Sequence, residues 1–175
     1  MDILYRITLT LNVTFWMIVV YGVKEQWSVC TIPRWGMGIL LLIVPVALSW
    51  VSLIIAGKLS TDSLPDCGES TLADNEFLPV YLGYFFVALS VPDNLTMLFL
   101  YIIVFIFTYL SQTQYFNPLY LLFGYHYYHV VTNQGTHVFI IARRDVIRNR
   151  KDISFAQLKR INNTTYLAIK GDNRK

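Results

Sequence analysis

The 175-residue chain is strongly apolar, with 55% hydrophobic and 14% charged residues and a mean hydropathy of +0.47. Ordinary soluble domains carry roughly a quarter charged residues, so this composition argues against a typical soluble enzyme and favours a membrane protein. The net charge of +3 is unevenly spread: residues 1–110 hold four basic and eight acidic side chains, and residues 111–175 hold ten and three. The chain therefore divides into a membrane part and a small basic part.

Four apolar runs predict four transmembrane helices, at about residues 7–23, 36–56, 77–91 and 95–116. A chain of this length has no soluble interior large enough to bury all four. Pro92-Asp93-Asn94 predicts a tight turn between the last two helices. The third run is shorter than a hydrocarbon core of roughly 30 Å requires. It is therefore expected to begin inside the preceding loop or to thin the bilayer.

Three residues inside the predicted spans carry structural hypotheses. Thr8 and Asn12 lie four residues apart in the first span, and Pro45 lies near the middle of the second. An asparagine in hydrocarbon needs a hydrogen-bond partner, which favours helix–helix packing, with a pore-lining or sensing role as the alternative. Pro45 predicts a kink because proline removes one helical hydrogen bond. Trp27 and Trp35, between these spans, are predicted interfacial anchors.

Residues 57–76 contain five acidic side chains and one lysine. Together with the serines, prolines and glycines of this stretch, they predict a solvated loop. Its charge suits a basic partner, and the chain's own tail is one candidate.

After Asn117-Pro118 the pattern changes to that of a small, mostly-β domain. Residues 118–125 suit an interfacial segment or a first strand. Residues 125–133 and 136–144 predict a β-hairpin with Gln134-Gly135 in the turn, which places His137 opposite Thr132. A capping box at residues 154–157 predicts a short helix to about residue 161, and residues 164–170 predict a last strand. The predicted fold is thus a four-helix transmembrane domain (1–116) followed by a basic, β-rich cytoplasmic domain (117–175).

The sequence contains no recognisable catalytic motif, and we expect no enzymatic activity, no catalytic residues and no cofactor. His126, His129 and His137 invite a zinc hypothesis, but alternation along a strand points His126 and His129 to opposite faces. No cysteine or group of carboxylates completes a site, so no metal site is predicted.

Basic residues of the tail form the strongest local signal. They suit a solvated face bound to anionic phospholipids or a docking face for an acidic protein, whereas direct nucleic-acid binding lacks a recognition motif. The predicted partner- or lipid-binding residues are Arg143, Arg144, Arg148, Arg150, Lys151, Lys159 and Arg160.

Four spans place both termini on one side of the membrane. The basic, cysteine-free tail has no export signal of its own, so we expect this side to be the cytoplasm. Cys30 and Cys67 then lie on opposite faces of the membrane and cannot pair.

Four spans, a Tyr/His-rich hairpin, an Arg-Arg pair and a short last strand follow one another in this order. This layout, with the stretch FGYHYYHVVTNQGTHVFIIARRDVI, resembles the KwaA family, the membrane subunit of the Kiwa anti-phage defence system. The resemblance implies a bacterial inner-membrane protein that assembles with itself, as a tetramer. It would detect phage attachment or injection and control a cytosolic DNA-binding subunit, KwaB. The competing hypothesis is a small oligomeric ion channel or holin-like pore in which Thr8 and Asn12 line a water path.

Overall fold

The structure is a computed structural model that describes residues 3–28, 32–64, 67–111, 117–132, 134–143, 155–162 and 164–168. The chain divides into two compact units. The helical unit comprises Ile3–Ser52 and Glu76–Asn117, and the sheet unit comprises Met1–Asp2, Leu53–Asn75 and Pro118–Lys175.

The helical unit is built from α1 (Ile3–Lys24), α2 (Arg34–Ala56), α3 (Phe77–Ser90) and α4 (Asn94–Ser111), with the last turn of α2 belonging to the sheet unit. Among the described residues, α1, α2 and α4 are long and apolar enough to cross a membrane, whereas α3 is apolar but shorter. These helices lie at the four predicted runs. The end of the fourth prediction, residues 112–116, is outside the described residues.

Helix α1 is the most enclosed of the four helices. Its Met17 and Tyr21 pack with Ala88, Val91 and Met97 of the α3–α4 hairpin in one apolar cluster. Helix α4 instead leaves most of its apolar side chains exposed, among them Leu95, Leu98, Phe99, Ile102, Ile106, Phe107 and Leu110. An exposed surface of this kind is unfavourable in water and suits contact with lipid.

The predicted turn at Pro92-Asp93-Asn94 is present between α3 and α4. Asp93 caps α4: one carboxylate oxygen accepts the backbone N–H of Thr96 at 2.9 Å and the other accepts its hydroxyl at 2.7 Å. These hydrogen bonds stabilise the charged form, so they hold the pKa of Asp93 below its ordinary value.

In the sheet unit, the short helix α5 (Pro118–Leu122) leads into a mixed β-sheet. Its strands among the described residues are β1 (Thr61–Leu64), β2 (Cys67–Leu72), β3 (His126–Thr132), β4 (His137–Ala142), β5 (Phe155–Arg160) and β6 (Thr165–Ala168). The strand order is β1-β5-β6-β4-β3-β2. Only the β4–β6 pair, among these described strands, is parallel.

The predicted hairpin is confirmed as β3–β4, with a different register. His137 lies opposite Val131 rather than Thr132. The N–H of Thr132 donates to the carbonyl of Thr136 at 2.9 Å, and Gly135 adopts φ +78°. The loop thus has three residues, with glycine in the left-handed conformation that a three-residue hairpin requires, and this length sets the register.

Residues 57–76 are not simply a solvated loop, because they supply both edge strands of the sheet. Strand β1 pairs with β5 and strand β2 pairs with β3, both antiparallel. The acidic stretch therefore contacts the chain's own tail, which was its candidate partner, through these two strand pairs.

The predicted helix over residues 154–161 is wrong, since this stretch forms β5. A helix this short is marginal in water, whereas strands β1 and β6 offer hydrogen-bond partners on both sides. Leu158 is completely buried, whereas its neighbour Lys159, on the opposite face of the strand, is only partly buried. Tertiary pairing therefore overrides the local capping signal.

Both faces of the central strands are buried. On one face Tyr128, Val130, Val138, Ile140, Ala142, Leu158, Tyr166 and Ala168 form an apolar cluster. On the other face Tyr127 stacks on Phe139, with ring centroids 5.7 Å apart. All four residues of β6 are buried, as expected for a central strand covered on two sides.

Candidate functional site in the helical unit

Three polar side chains meet inside the helical unit, and we call Asn12, Ser49 and Asn117 the polar cluster. The Ser49 hydroxyl lies 3.1 Å from Oδ1 of Asn12. It accepts a hydrogen bond from Nδ2 of Asn117 at 2.8 Å. All three residues are essentially inaccessible to solvent. The cluster therefore joins α1, α2 and the residue that precedes Pro118.

The local structure of α2 explains where Ser49 lies. Pro45 has no N–H to donate, so one backbone hydrogen bond of α2 is absent and the helix is expected to bend there. One turn later the Ser49 hydroxyl lies 2.7 Å from the Pro45 carbonyl oxygen, a bond of the kind that also bends helices. Pro45 and Ser49 are thus parts of one turn of α2.

The hydroxyl proton of Ser49 has two acceptors. A serine hydroxyl donates one hydrogen bond at a time, so Oδ1 of Asn12 and the Pro45 carbonyl compete for the same proton. Nδ2 of Asn12 is buried and finds no hydrogen-bond partner among the described residues. One polar group of the cluster therefore lacks a hydrogen bond within the described part of the chain. The Ser49 hydroxyl proton can bond either to Asn12 on α1 or to the Pro45 carbonyl within α2.

The other predicted residue of α1 does not join the cluster. The Thr8 hydroxyl donates to the Leu4 carbonyl at 2.9 Å, one turn back in the same helix. Thr10 and Thr14 bond in the same way to Arg6 and Thr10. Of the three predicted intramembrane residues, Asn12 and Pro45 thus contact Ser49, whereas Thr8 satisfies its own helix.

Two residues of the cluster are close, along the sequence, to boundaries of the helical unit. Ser49 is one turn before the boundary between Ser52 and Leu53, and Asn117 immediately precedes Pro118, where the sheet unit resumes. Sequence reasoning did not identify Ser49 or Asn117 as functional. A signal for Ser49 existed, since it is a polar residue four positions after a proline in an apolar run.

The predicted basic residues are separated where the structure describes them. Lys159 donates to the Leu59 carbonyl and to the Thr61 hydroxyl, both at 2.8 Å, so it ties β5 to the start of β1. Arg160 follows it on the same strand and therefore points to the opposite face. Arg143 is exposed just after β4. The other four, Arg144, Arg148, Arg150 and Lys151, lie outside the described residues, so the docking surface stays a prediction.

The histidines are engaged separately. Nδ1 of His126 lies 2.8 Å from Oδ2 of Asp74, whose other oxygen accepts the N–H of Tyr127. His129 packs on the ring of Phe139, with centroids 5.2 Å apart, and His137 is exposed. Within the described ranges, no group of three or more His, Cys, Asp or Glu residues is placed to hold a metal ion.

Comparison with known proteins identifies the family. A family model described as "Anti-phage protein KwaA" matches residues 5–167, a range that includes nearly all of both units. No curated protein matches the chain, and no solved structure does. Because the match extends over far more than half of its length, the chain belongs to the KwaA family of anti-phage proteins.

Proposed function

We propose that the chain is the inner-membrane sensor and scaffold of a Kiwa defence complex, which detects phage attachment or injection and controls a cytosolic DNA-binding subunit. In this proposal α1–α4 all cross the membrane, the termini and the sheet unit are cytoplasmic, and several copies assemble together. The chain itself catalyses no reaction and needs no cofactor. Family membership supports the defence role, and the apolar helices support the membrane location.

The polar cluster is the observation that carries the sensing role. Polar groups are expensive in hydrocarbon, and those retained there commonly serve function. Here the Ser49 proton has one acceptor on α1 and one on α2, so a small shift between these helices changes its partner. The same hydroxyl accepts from Asn117, the last residue before Pro118. A disturbance of the helices therefore acts on Ser49 and Asn117, which in chain order stand just before two segments of the sheet unit.

The short α3 supplies sensitivity to the bilayer. Its 14 residues extend about 21 Å at 1.5 Å per residue, whereas the hydrocarbon core measures roughly 30 Å. A helix of this length requires local thinning or help from neighbouring residues, and the energy of that mismatch changes with bilayer thickness. Since α1 packs directly on the α3–α4 hairpin, a change at α3 acts on the helix that carries Asn12.

Asn12→Leu tests the sensing role. Leucine removes Oδ1 of Asn12, the acceptor on α1, so the Ser49 proton can bond only to the Pro45 carbonyl. Leucine also removes the buried Nδ2 that has no partner among the described residues, so the fold is expected to stay stable. We expect normal membrane levels, normal complex formation and loss of phage protection, measured as an increase in plaque number. Thr8→Val is the matched control on the same helix and should protect like the wild type. Full protection by Asn12→Leu, at equal protein levels, would refute the role given to the cluster.

The partner surface needs a separate experiment. Reversing Arg143, Arg144 and Arg148 to Glu should abolish co-purification of the cytosolic subunit if the basic residues dock it. Lys58→Glu, at an exposed position after α2, is a charge-reversal control outside the predicted docking surface. Unchanged complex formation by the triple variant would place the docking surface elsewhere.

The ion-channel alternative has less support. Asn12 is completely buried within one chain, and the Thr8 hydroxyl is occupied by its own helix. Asn12 is therefore not presented to a neighbouring copy, as a shared water path would require. Measurement of ion flux in liposomes that contain this chain alone separates the two functions, because robust conductance without a partner favours the channel.

A further inference from the structure

A half-open apolar cavity of about 280 Å³ lies between α1 and α4. Its lining includes Ile18, Tyr21, Trp27, Asn94, Leu98 and Tyr101. The α4 residues recur at helical spacing, so they line one face over about 10 Å of helix, from the first residue of α4 inwards. An apolar cavity of about 150 Å³ holds one benzene ring. This cavity therefore has room for an extended hydrocarbon segment.

Polar groups of the residues that line the cavity are engaged in hydrogen bonds. The Tyr21 hydroxyl donates to Oδ1 of Asn94 at 3.1 Å, beside the turn that joins α3 to α4. Deeper in the cavity, the Tyr101 hydroxyl is hydrogen-bonded with Thr14 at 3.3 Å. The remaining surface is almost entirely apolar. A ligand with a long apolar chain and a polar head at the Asn94 end matches this distribution.

Trp27 is held at the mouth by the end of α1. The N–H of Trp27 donates to the Gly22 carbonyl at 3.0 Å, and that of Gln26 donates to the Val23 carbonyl at 3.2 Å. With Gln26 at φ 51°, these bonds form a Schellman motif. A methyl group on Gly22 would lie 3.0 Å from the Trp27 ring, so glycine is what lets the indole pack here.

A second cavity, of about 360 Å³, shares Trp27 with the first and is also lined by Gln26, Arg34 and Trp35. Lys24 already has partners in Glu25, at 3.2 Å, and the Val91 carbonyl. Arg34 is exposed and, in the part of the chain that the structure describes, no ion pair involves it. An available guanidinium between two tryptophans at the start of an apolar helix suits a lipid phosphate at the membrane interface.

We propose that this end of the helical unit binds one anionic phospholipid, with one acyl chain in the α1–α4 cavity and its phosphate at Arg34. The charge of Arg34 selects an anionic head, and the depth and apolar walls of the neighbouring cavity select a hydrocarbon chain. The site lies at the end of the unit where α1 and α3 finish, which faces the periplasm in the proposed topology. The proposal rests on the membrane placement of the helices and not on sensing or on a protein partner.

Native mass spectrometry of the full chain tests the site directly. The protein is released from nanodiscs of equal phosphatidylglycerol and phosphatidylcholine, and the lipids that remain bound are counted. We expect phosphatidylglycerol to remain on the wild type. Leu98→Trp fills the cavity and should abolish retention of either lipid. Arg34→Gln should keep a bound lipid and lower the preference for phosphatidylglycerol about fivefold, the effect of one interfacial cation.

Two control variants make the result decisive. Leu95→Trp adds the same ring to an exposed part of α4 that does not line the cavity, and Lys58→Gln removes a cation elsewhere. Both should retain phosphatidylglycerol like the wild type. Three outcomes would each overturn the proposal. Both Leu98→Trp and Arg34→Gln bind lipid as the wild type does, or the wild-type protein is released with no lipid or with detergent alone. In the third, free inorganic phosphate displaces the bound lipid. The melting temperature shows whether Leu98→Trp is folded. If that variant does not fold, Arg34→Gln, which changes an exposed position, provides the test.

Discussion

Ser49→Ala should weaken the helical unit by removing the centre of the polar cluster. Its hydroxyl makes one hydrogen bond with Asn12 and accepts another from Asn117. Hydrogen bonds of this kind in membrane proteins average about 0.6 kcal/mol, with a maximum near 1.7. Two such bonds give an expected loss of about 1 kcal/mol, with about 3 kcal/mol as the upper bound.

Reversible unfolding of the purified protein in detergent measures this loss. Ser90→Ala is the matched control, since its hydroxyl is exposed and bonds only one turn back, to the Val87 carbonyl at 3.0 Å. The same chemical change is made in both variants, so a difference between them reports the cluster. Combining Ser49→Ala with Asn12→Leu should recover part of the lost stability, because the double variant no longer buries Asn12 without a partner. The reasoning is refuted if Ser49→Ala and Ser90→Ala have equal effects, or if the double variant is less stable than Ser49→Ala.

Three further changes test separate parts of the structure. Gln26→Gly should stabilise the protein by up to about 1 kcal/mol, because Gln26 adopts a left-handed backbone conformation that strains any residue but glycine. We expect this gain to exceed the loss that comes from the greater freedom of glycine in the unfolded chain. Thermal melting measures the change, and a lower melting temperature would contradict the prediction. The lowered pKa of Asp93 means that its contribution to stability is complete above its ordinary pKa and is lost as the pH falls through the lowered value. Asp93→Asn, which keeps a capping oxygen but does not titrate, should therefore melt with a shallower decline in acid than the wild type, and parallel profiles would be evidence against the cap. Ile140→Ala should destabilise the sheet unit by about 2–5 kcal/mol and expose it to limited proteolysis, whereas Ile106→Ala, on the exposed surface of α4, should leave cleavage unchanged.

The sequence was most informative where one physical signal dominates. Length and apolarity were enough to locate the four helices, and a proline followed by an aspartate was enough to locate the α3–α4 turn. The β3–β4 hairpin was found because β-branched and aromatic residues flank a glycine. These signals are local, so they need no knowledge of the rest of the fold.

The errors have a common cause in long-range pairing. Residues 154–161 carry a helix-capping pattern, yet β5 forms because β1 and β6 pair with it. Residues 57–76 look like a polar loop, since their strands are short and their partners lie far along the chain. The cluster itself was not predicted for the same reason: Asn12 signals a need for a partner, but nothing local in the sequence says that Ser49 and Asn117 supply it.

The origin of the two edge strands has a consequence for counting membrane crossings. Strands β1 and β2 precede α3, whereas the strands that they pair with follow α4. Hydrogen-bonded neighbours in one sheet must share a compartment, so the chain between them has to return to the side from which it left. The number of crossings between residues 73 and 118 is therefore even. If α4 crosses, as its length and apolarity favour, then α3 crosses too despite its 14 residues. Within the proposed membrane arrangement, parity thus favours a crossing by α3, which its length alone does not.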